Sequence, residues 1–139
     1  MKHPHVCIIG LGRFGSALAT ELARRGCQVT AVDRDSTIVE RIAERVDHAL
    51  VADIDNRGVL EELHLEGFDA VCVAIGSELL PFLEVVSALG DEARGKIYCR
   101  TLNDAHRTLI ERLGLKHAME VEKIAASHFA DEIYGPVPC

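Results

Sequence analysis

Three glycines, Gly10, Gly12 and Gly15, punctuate the stretch "VCIIGLGRFGSAL" that runs from Val6 to Leu18. They fit the pattern G-x-G-x-x-G, with a strand-like apolar run before it and a helix-like segment after it. In that setting the first glycine makes a tight turn and the second lets a pyrophosphate approach the backbone. The third lets the helix pack close to the strand. Free N–H groups and the dipole at the helix start then hold phosphate. Arg13 and Phe14 occupy the two variable positions. Asp33 follows Gly15 by 18 residues, at the end of the next apolar run. A carboxylate there can accept both hydroxyls of a ribose and repels a 2′-phosphate, although Arg34 lies beside it. The bland alternative for the glycines is a tight strand–helix turn with no ligand.

Other residues fall at strand ends where a nucleotide would lie. Asp53, in Ala52-Asp53-Ile54, can accept the exocyclic amine of an adenine or can serve as a helix cap or turn residue. Ala74-Ile75-Gly76 can floor a ribose with bare backbone, or Gly76 can simply turn the chain. No catalytic set accompanies them: there is no Ser/His/Asp arrangement and no Cys/His pair with a local signature, and His106 and His117 qualify by residue type alone. The five cysteines, Cys7, Cys27, Cys72, Cys99 and Cys139, form no C-x-x-C pair and are odd in number. They suggest neither a zinc site nor a disulfide framework. Cys7, Cys72 and Cys99 lie in apolar runs, where cysteine acts as a small hydrophobe. His3 and His5 could take a stray metal at the terminus.

The elements that must position these residues alternate regularly. Strands are expected at Val6–Gly10, Gln28–Val32, His48–Ala52, Asp69–Ile75, Lys96–Arg100 and His117–Met119. Their continuous aliphatic character predicts parallel strands covered on both faces. Helical periodicity appears between them: Phe14, Leu18 and Leu22; then Ile38, Val39, Ile42 and Val46 behind a Ser36 cap. Val59, Leu60 and Leu63 follow, then Leu79 to Leu89 with Pro81 in the first turn, then Leu109, Ile110 and Leu113 behind an Asn103 or Asp104 cap. Strict alternation implies an α/β fold, a Rossmann-like doubly wound six-stranded parallel sheet in the order 3-2-1-4-5-6. A last helix, Glu122–Tyr134, carries Ile124, Ala125, Phe129 and Ile133 after the sheet is complete. It either covers the sheet edge or reaches a partner.

Composition bounds the rest. The chain has 139 residues, 48% of them hydrophobic, with a formal charge of 15 − 22 = −7. That is enough for one domain with one core. An acidic chain with 4% aromatics and no basic cluster makes a poor nucleic-acid binder. No signal peptide or membrane-length apolar run is apparent, so a cytoplasmic protein without direct membrane insertion is expected.

At "IIGLGRFGSALATELARRGCQVTAVDRD" the chain resembles the N-terminal RCK domains (TrkA-N or KTN) of Trk/Ktr-type bacterial potassium-uptake regulators. The likeness continues through "VADIDNRGVLEEL", "DAVCVAIGSE", "YCRTLNDAHRTLIERLGL" and "EVEKIAASHFADEI". This resemblance implies a domain that binds NAD(H) or adenine nucleotides such as ATP and ADP. It also implies a homodimer or larger ring attached to a membrane potassium channel or transporter. Carried over by position, Gly10, Gly12 and Gly15 form the phosphate loop and Asp33 holds the ribose. Asp53 and Ile54 border the adenine, and Ile75 and Gly76 line the adenosine pocket. Arg100 faces the phosphates, and Glu122 is the acid that in some members places a cation there. Arg13 then supplies positive charge at the phosphates; otherwise it is a solvated helix arginine.

The chain departs from that family at Val121, where proline is usual, and at Glu78, where a short polar residue is common. It also lacks the RCK-C domain that ordinarily follows, as a chain cut at a domain boundary or a natural short form would. Residues 1–121 are read as the nucleotide-binding domain and 122–139 as a crossover or dimerisation helix with its tail. The function expected is nucleotide-sensing regulation of a potassium channel or transporter, without catalysis. Two alternatives stand beside it: the cofactor domain of an NAD-dependent oxidoreductase, and a dimerisation module with a vestigial site.

Overall fold

A computed structural model describes residues 3–54, 56–74 and 79–136. The strands are β1 (His5–Ile9), β2 (Gln28–Asp33), β3 (His48–Val51), β4 (Ala70–Val73), β5 (Ile97–Arg100) and β6 (His117–Met119). The helices are α1 (Arg13–Arg24), α2 (Ser36–Ile42), α3 (Arg57–Glu62), α4 (Leu79–Leu89), α5 (Asp104–Arg112) and α6 (Val121–Ile133). All pairings are parallel, and the six-stranded sheet runs β3-β2-β1-β4-β5-β6. The order is the expected one.

Side chains alternate across the sheet with period two, which divides the core into two layers. Val6, Ile8, Val29, Ala31 and Cys72 face α1 and α2, where they meet Leu11, Ala19, Val39 and Ile42. Cys7, Ile9, Val32, Val71, Val73 and Ile97 face the other way, onto Leu60, Phe82, Val85, Val86 and Ile110 of α3, α4 and α5. The helices are therefore split unevenly, with α1 and α2 over the β3-β2-β1 half of one face and no described helix over its β5-β6 half. Coverage of every strand on both faces, expected from composition, fails at the edges. Val51 of β3, Tyr98 of β5 and Met119 of β6 are exposed. An aliphatic run does not reveal how many helices remain to cover it.

Local chemistry explains most boundaries. Asp35, rather than Ser36, caps α2, its carboxylate accepting the Thr37 N–H at 2.9 Å. Asp and Ser both suit that role, and the extended backbone falls on Asp35. Asn56 caps α3 through the Gly58 N–H, and Asn103 caps α5 through the His106 N–H. Pro81 stands third in α4, where its missing N–H removes no helical bond. Helix α6 buries none of its residues, and Phe129 and Ile133 are 63% and 86% exposed.

Candidate functional site

The glycine loop joins β1 to α1 at the carboxyl edge of the sheet. Gly10 has φ 96°, a left-handed conformation that suits glycine, and its N–H donates to the Val32 carbonyl at 2.9 Å. Gly12 starts α1 in extended geometry, its carbonyl accepting the Ser16 N–H at 2.9 Å. Having no side chain, Gly12 leaves the first-turn N–H groups of α1 uncapped. A Cβ on Gly12 would meet no described atom within 4 Å, so the loop is open there. A Cβ on Gly15 would lie 1.8 Å from the Gly10 carbonyl oxygen and 3.3 Å from the Ala74 Cβ. The third glycine is thus the close-packing position and the second the open one, as the motif predicts.

Arg13 is the first residue of α1, and that helix has no acidic residue in its first turn. A cation there opposes the helix dipole by about 0.3–1 kcal/mol unless an anion lies close. Phe14 turns away from the loop. Its ring packs with Leu18 and Leu22 against the sheet and lines a different, apolar hollow. The two variable positions of the motif face different surroundings.

Asp33 closes β2 and reaches back to the loop. Its Oδ2 accepts the Leu11 N–H at 2.8 Å, and its Oδ1 accepts the Asp35 N–H at 2.9 Å. The carboxylate therefore clamps the glycine loop to the second strand. A carboxylate offers about four lone-pair sites, so two remain for further donors such as ribose hydroxyls. The sequence pattern pointed to Asp33 as a ligand residue and gave no sign of the clamp.

The remaining candidates are spread along the same edge. Arg34 is exposed beyond β2. Asp53 is exposed past β3, and its backbone carbonyl accepts the Asn56 N–H in a turn; the cap of α3 is Asn56. Ile54 packs against the core on the α3 side. Ala74 is buried behind the start of α1, its N–H donating to the Ile9 carbonyl at 2.8 Å. Ile75, Gly76 and Glu78 lie outside the described residues. Arg100 at the end of β5 and Glu122 in the first turn of α6 form an ion pair at 2.7 Å. They stand two or more strands from the glycine loop, roughly 10 Å or beyond at ordinary strand spacing.

Next to that pair lie buried polar groups that sequence reasoning did not single out. Thr101, directly after β5, is fully buried with an unpartnered hydroxyl, and Glu120, directly after β6, is buried with Oε1 unpartnered. The Oε2 of Glu120 lies 3.4 Å from Lys123 Nζ, which also reaches Asp104 at 3.1 Å. Lys123 holds the Asp104 carboxyl below its ordinary range. The available signal was position, since both residues follow a strand at the carboxyl edge. Both rim an edge already rich in charge.

The three strand cysteines are sequestered instead. Burial pushes the Cys7 and Cys72 thiols up to about 12 and that of Cys99 to about 11. His117 is exposed and stacks on Tyr98 at 4.1 Å between ring centroids, while His106 is half-buried, with both ring nitrogens shielded and unpartnered. Among the described residues no group of three or more His, Cys, Asp or Glu side chains is placed to hold a metal ion. None of their helices is long and apolar enough to cross a membrane.

Ktr system potassium uptake protein C of Bacillus subtilis (strain 168) is 32% identical over 126 residues, which is 91% of this chain and 57% of that protein. The chain thus spans little more than half the length of this relative. The NAD(P)-binding domain of an exopolyphosphatase-related protein from Archaeoglobus fulgidus superposes with a TM-score of 0.77 at 25% identity, covering 94% of this chain and 98% of that one. The Kef CTD of Shewanella denitrificans, solved in AMP bound form, shares the fold with a TM-score of 0.75 at 22% identity over 92% of this chain and 78% of its own. The family model of the TrkA-N domain matches residues 6–121, from the first buried residue of β1 to the first residue of α6. With its glycine loop, acid-ended second strand and strand order matching that pattern, the chain belongs to the TrkA-N domain family.

Proposed function

We propose that this chain is the nucleotide-sensing domain of a potassium-uptake regulator, acting by binding rather than by catalysis. Residues 1–121 form the sensing domain, and 122–139 form the segment that meets another subunit. The observation that carries the reading is the start of α1: an uncapped helix N-terminus, open at Gly12 and clamped by Asp33. Its ligand is an adenine nucleotide, NAD(H) or ATP/ADP. The pyrophosphate rests on the Gly12–Arg13 N–H groups, and the ribose hydroxyls donate to the free lone pairs of Asp33. Asp53 and Ile54 border the base, with Ala74 beneath the adenosine. Likeness to an NAD(P)-binding domain supports this ligand class. Likeness to Ktr proteins supports the regulatory setting, at the cytoplasmic side of a membrane potassium channel or transporter.

The Arg100–Glu122 pair supplies a path from ligand to helix. Phosphates reaching Arg100 compete with Glu122 for its guanidinium, which frees the carboxylate for a cation and loosens the root of α6. The exposed α6 then carries the change to the neighbouring copy in a homodimer or ring. Calorimetric titration with NADH, NAD, ADP, ATP and adenosine tests the reading. One site per chain is expected, with the phosphorylated ligands binding more tightly than adenosine. Absence of heat for all five would overturn it.

A further inference from the structure

A second cleft, of about 770 Å³, starts at the outer side of the glycine loop and runs down between α1 and α2. Its size lies within the roughly 300–1,000 Å³ common for small-ligand sites. One wall is the α1 face of Arg13, Ser16, Ala17 and Thr20, at i, i+3, i+4 and i+7; the other is Ile38, Arg41, Ile42 and Arg45 at the same spacing. Ala17, Ile38 and Ile42 contribute apolar surface, and three guanidiniums line the cleft. The hydroxyls of Ser16 and Thr20 are spent on backbone carbonyls, at 2.7 and 2.8 Å.

The charge here runs against the rest of the molecule. Among the described residues, Arg13, Arg41 and Arg45 have no ion-pair partner. The one carboxylate lining the cleft, Glu21, is held by Arg24 and Arg25, which push it down to about 2. It therefore remains an anion already neutralised. Three like charges around one concavity, in a chain of net charge −7, repel one another until an anion enters. Guanidiniums also suit phosphate, which they grip with paired N–H groups.

We infer that the α1–α2 cleft is a second ligand site, for a small molecule carrying two or more phosphate groups on an apolar or planar body. Arg41 and Arg45 bind phosphate, and the body lies over Ala17, Ile38 and Ile42. The site adjoins the nucleotide loop through Arg13 but does not depend on the nucleotide reading. Arg13 is the residue through which the two ligands would sense each other.

Inorganic tripolyphosphate is the probe, in magnesium-free buffer with excess AMP, which carries a single phosphate, present to compete at the glycine loop. The readout is the side-chain Nε–H signals of Arg41 and Arg45 by NMR. They should move together and saturate at one equivalent. Arg41→Gln/Arg45→Gln should raise the Kd at least tenfold, whereas Arg107→Gln/Arg112→Gln, on α5 over the other sheet face, should change it less than twofold. Circular dichroism establishes that each variant is folded. Non-saturating shifts, or a Kd untouched by the Arg41/Arg45 change, would overturn the inference. So would saturation by a poly-glutamate peptide with tripolyphosphate inert, which would make the cleft a protein-docking groove. Should no nucleotide bind in the calorimetric titration, the nucleotide reading falls, yet the arginine signals still report on this cleft.

Discussion

Gly15→Ala and Gly12→Ala separate the two jobs of the glycine loop. At Gly15 the new Cβ would stand 1.8 Å from the Gly10 carbonyl oxygen, where contacts below 3.0 Å are essentially never found. The loop and α1 must therefore part by at least about 3.0 − 1.8 = 1.2 Å. The obstructing atom is backbone, fixed by the Gly10 N–H to Val32 and the Leu11 N–H to Asp33. It cannot swing aside as a flexible side chain would. Overpacking of this kind costs about 1–3 kcal/mol, and a backbone clash belongs at or above the top of that range. The better helix propensity of alanine returns about 1 kcal/mol. A net loss of about 2 kcal/mol or more is expected in urea unfolding of the ligand-free protein. Gly12→Ala meets no described atom within 4 Å and has φ −68°, so its stability should stay within about 0.5 kcal/mol of the parent. Its ADP affinity should nevertheless fall at least tenfold, because the methyl occupies the approach of the pyrophosphate. Equal stability for the Gly15 variant would refute the close-packing argument, and unchanged ADP affinity for the Gly12 variant would remove the ligand from this loop.

Four further outcomes are expected. Asp33→Asn turns one accepting oxygen into a donor facing a backbone N–H, so the ligand-free protein should lose about 1–3 kcal/mol in urea unfolding; no loss would mean the loop clamp is not formed. Arg13→Ala should weaken ATP more than adenosine, with the difference shrinking as salt rises, and equal losses would exclude phosphate contact. Phe129→Asp/Ile133→Asp should leave a folded chain that binds nucleotide but scatters light as a monomer. Unfolding instead would mean α6 docks on its own sheet. In a Cys139→Ser background, native protein at pH 8 should react with one equivalent of a thiol reagent, at Cys27. The other thiols are buried, and Cys7, Cys72 and Cys99 are pushed up to about 12, 12 and 11. Fast reaction of two or more would show the core opening.

The strand order, the helix count and the turn chemistry were legible because they follow from local rules. Aliphatic runs of strand length, 3.6-residue periodicity and Asn or Asp before a helix each act within a few neighbouring residues. The glycine loop was legible for the same reason: Gly10 needs its left-handed φ and Gly15 its missing Cβ whatever the rest of the chain does. Boundaries moved by a residue where two capping side chains stood adjacent, as at Asp35 and Ser36. What sequence left open was decided by which residues distant in the chain became neighbours. Asp33 grips Leu11 only because β2 lies beside β1. Arg13, Arg41 and Arg45 line one cleft only because α1 and α2 share a sheet face. Phe14 joins the core rather than the loop because the turn of the helix carries it to the other side. The bare half of that face, with Tyr98 and Met119 exposed at 43% and 42%, has a similar origin. Right-handed crossovers put α4 and α5 on the opposite layer. The chain specifies each element by its own pattern, whereas the site and its unfilled surfaces come from how a twisted parallel sheet distributes those elements in space.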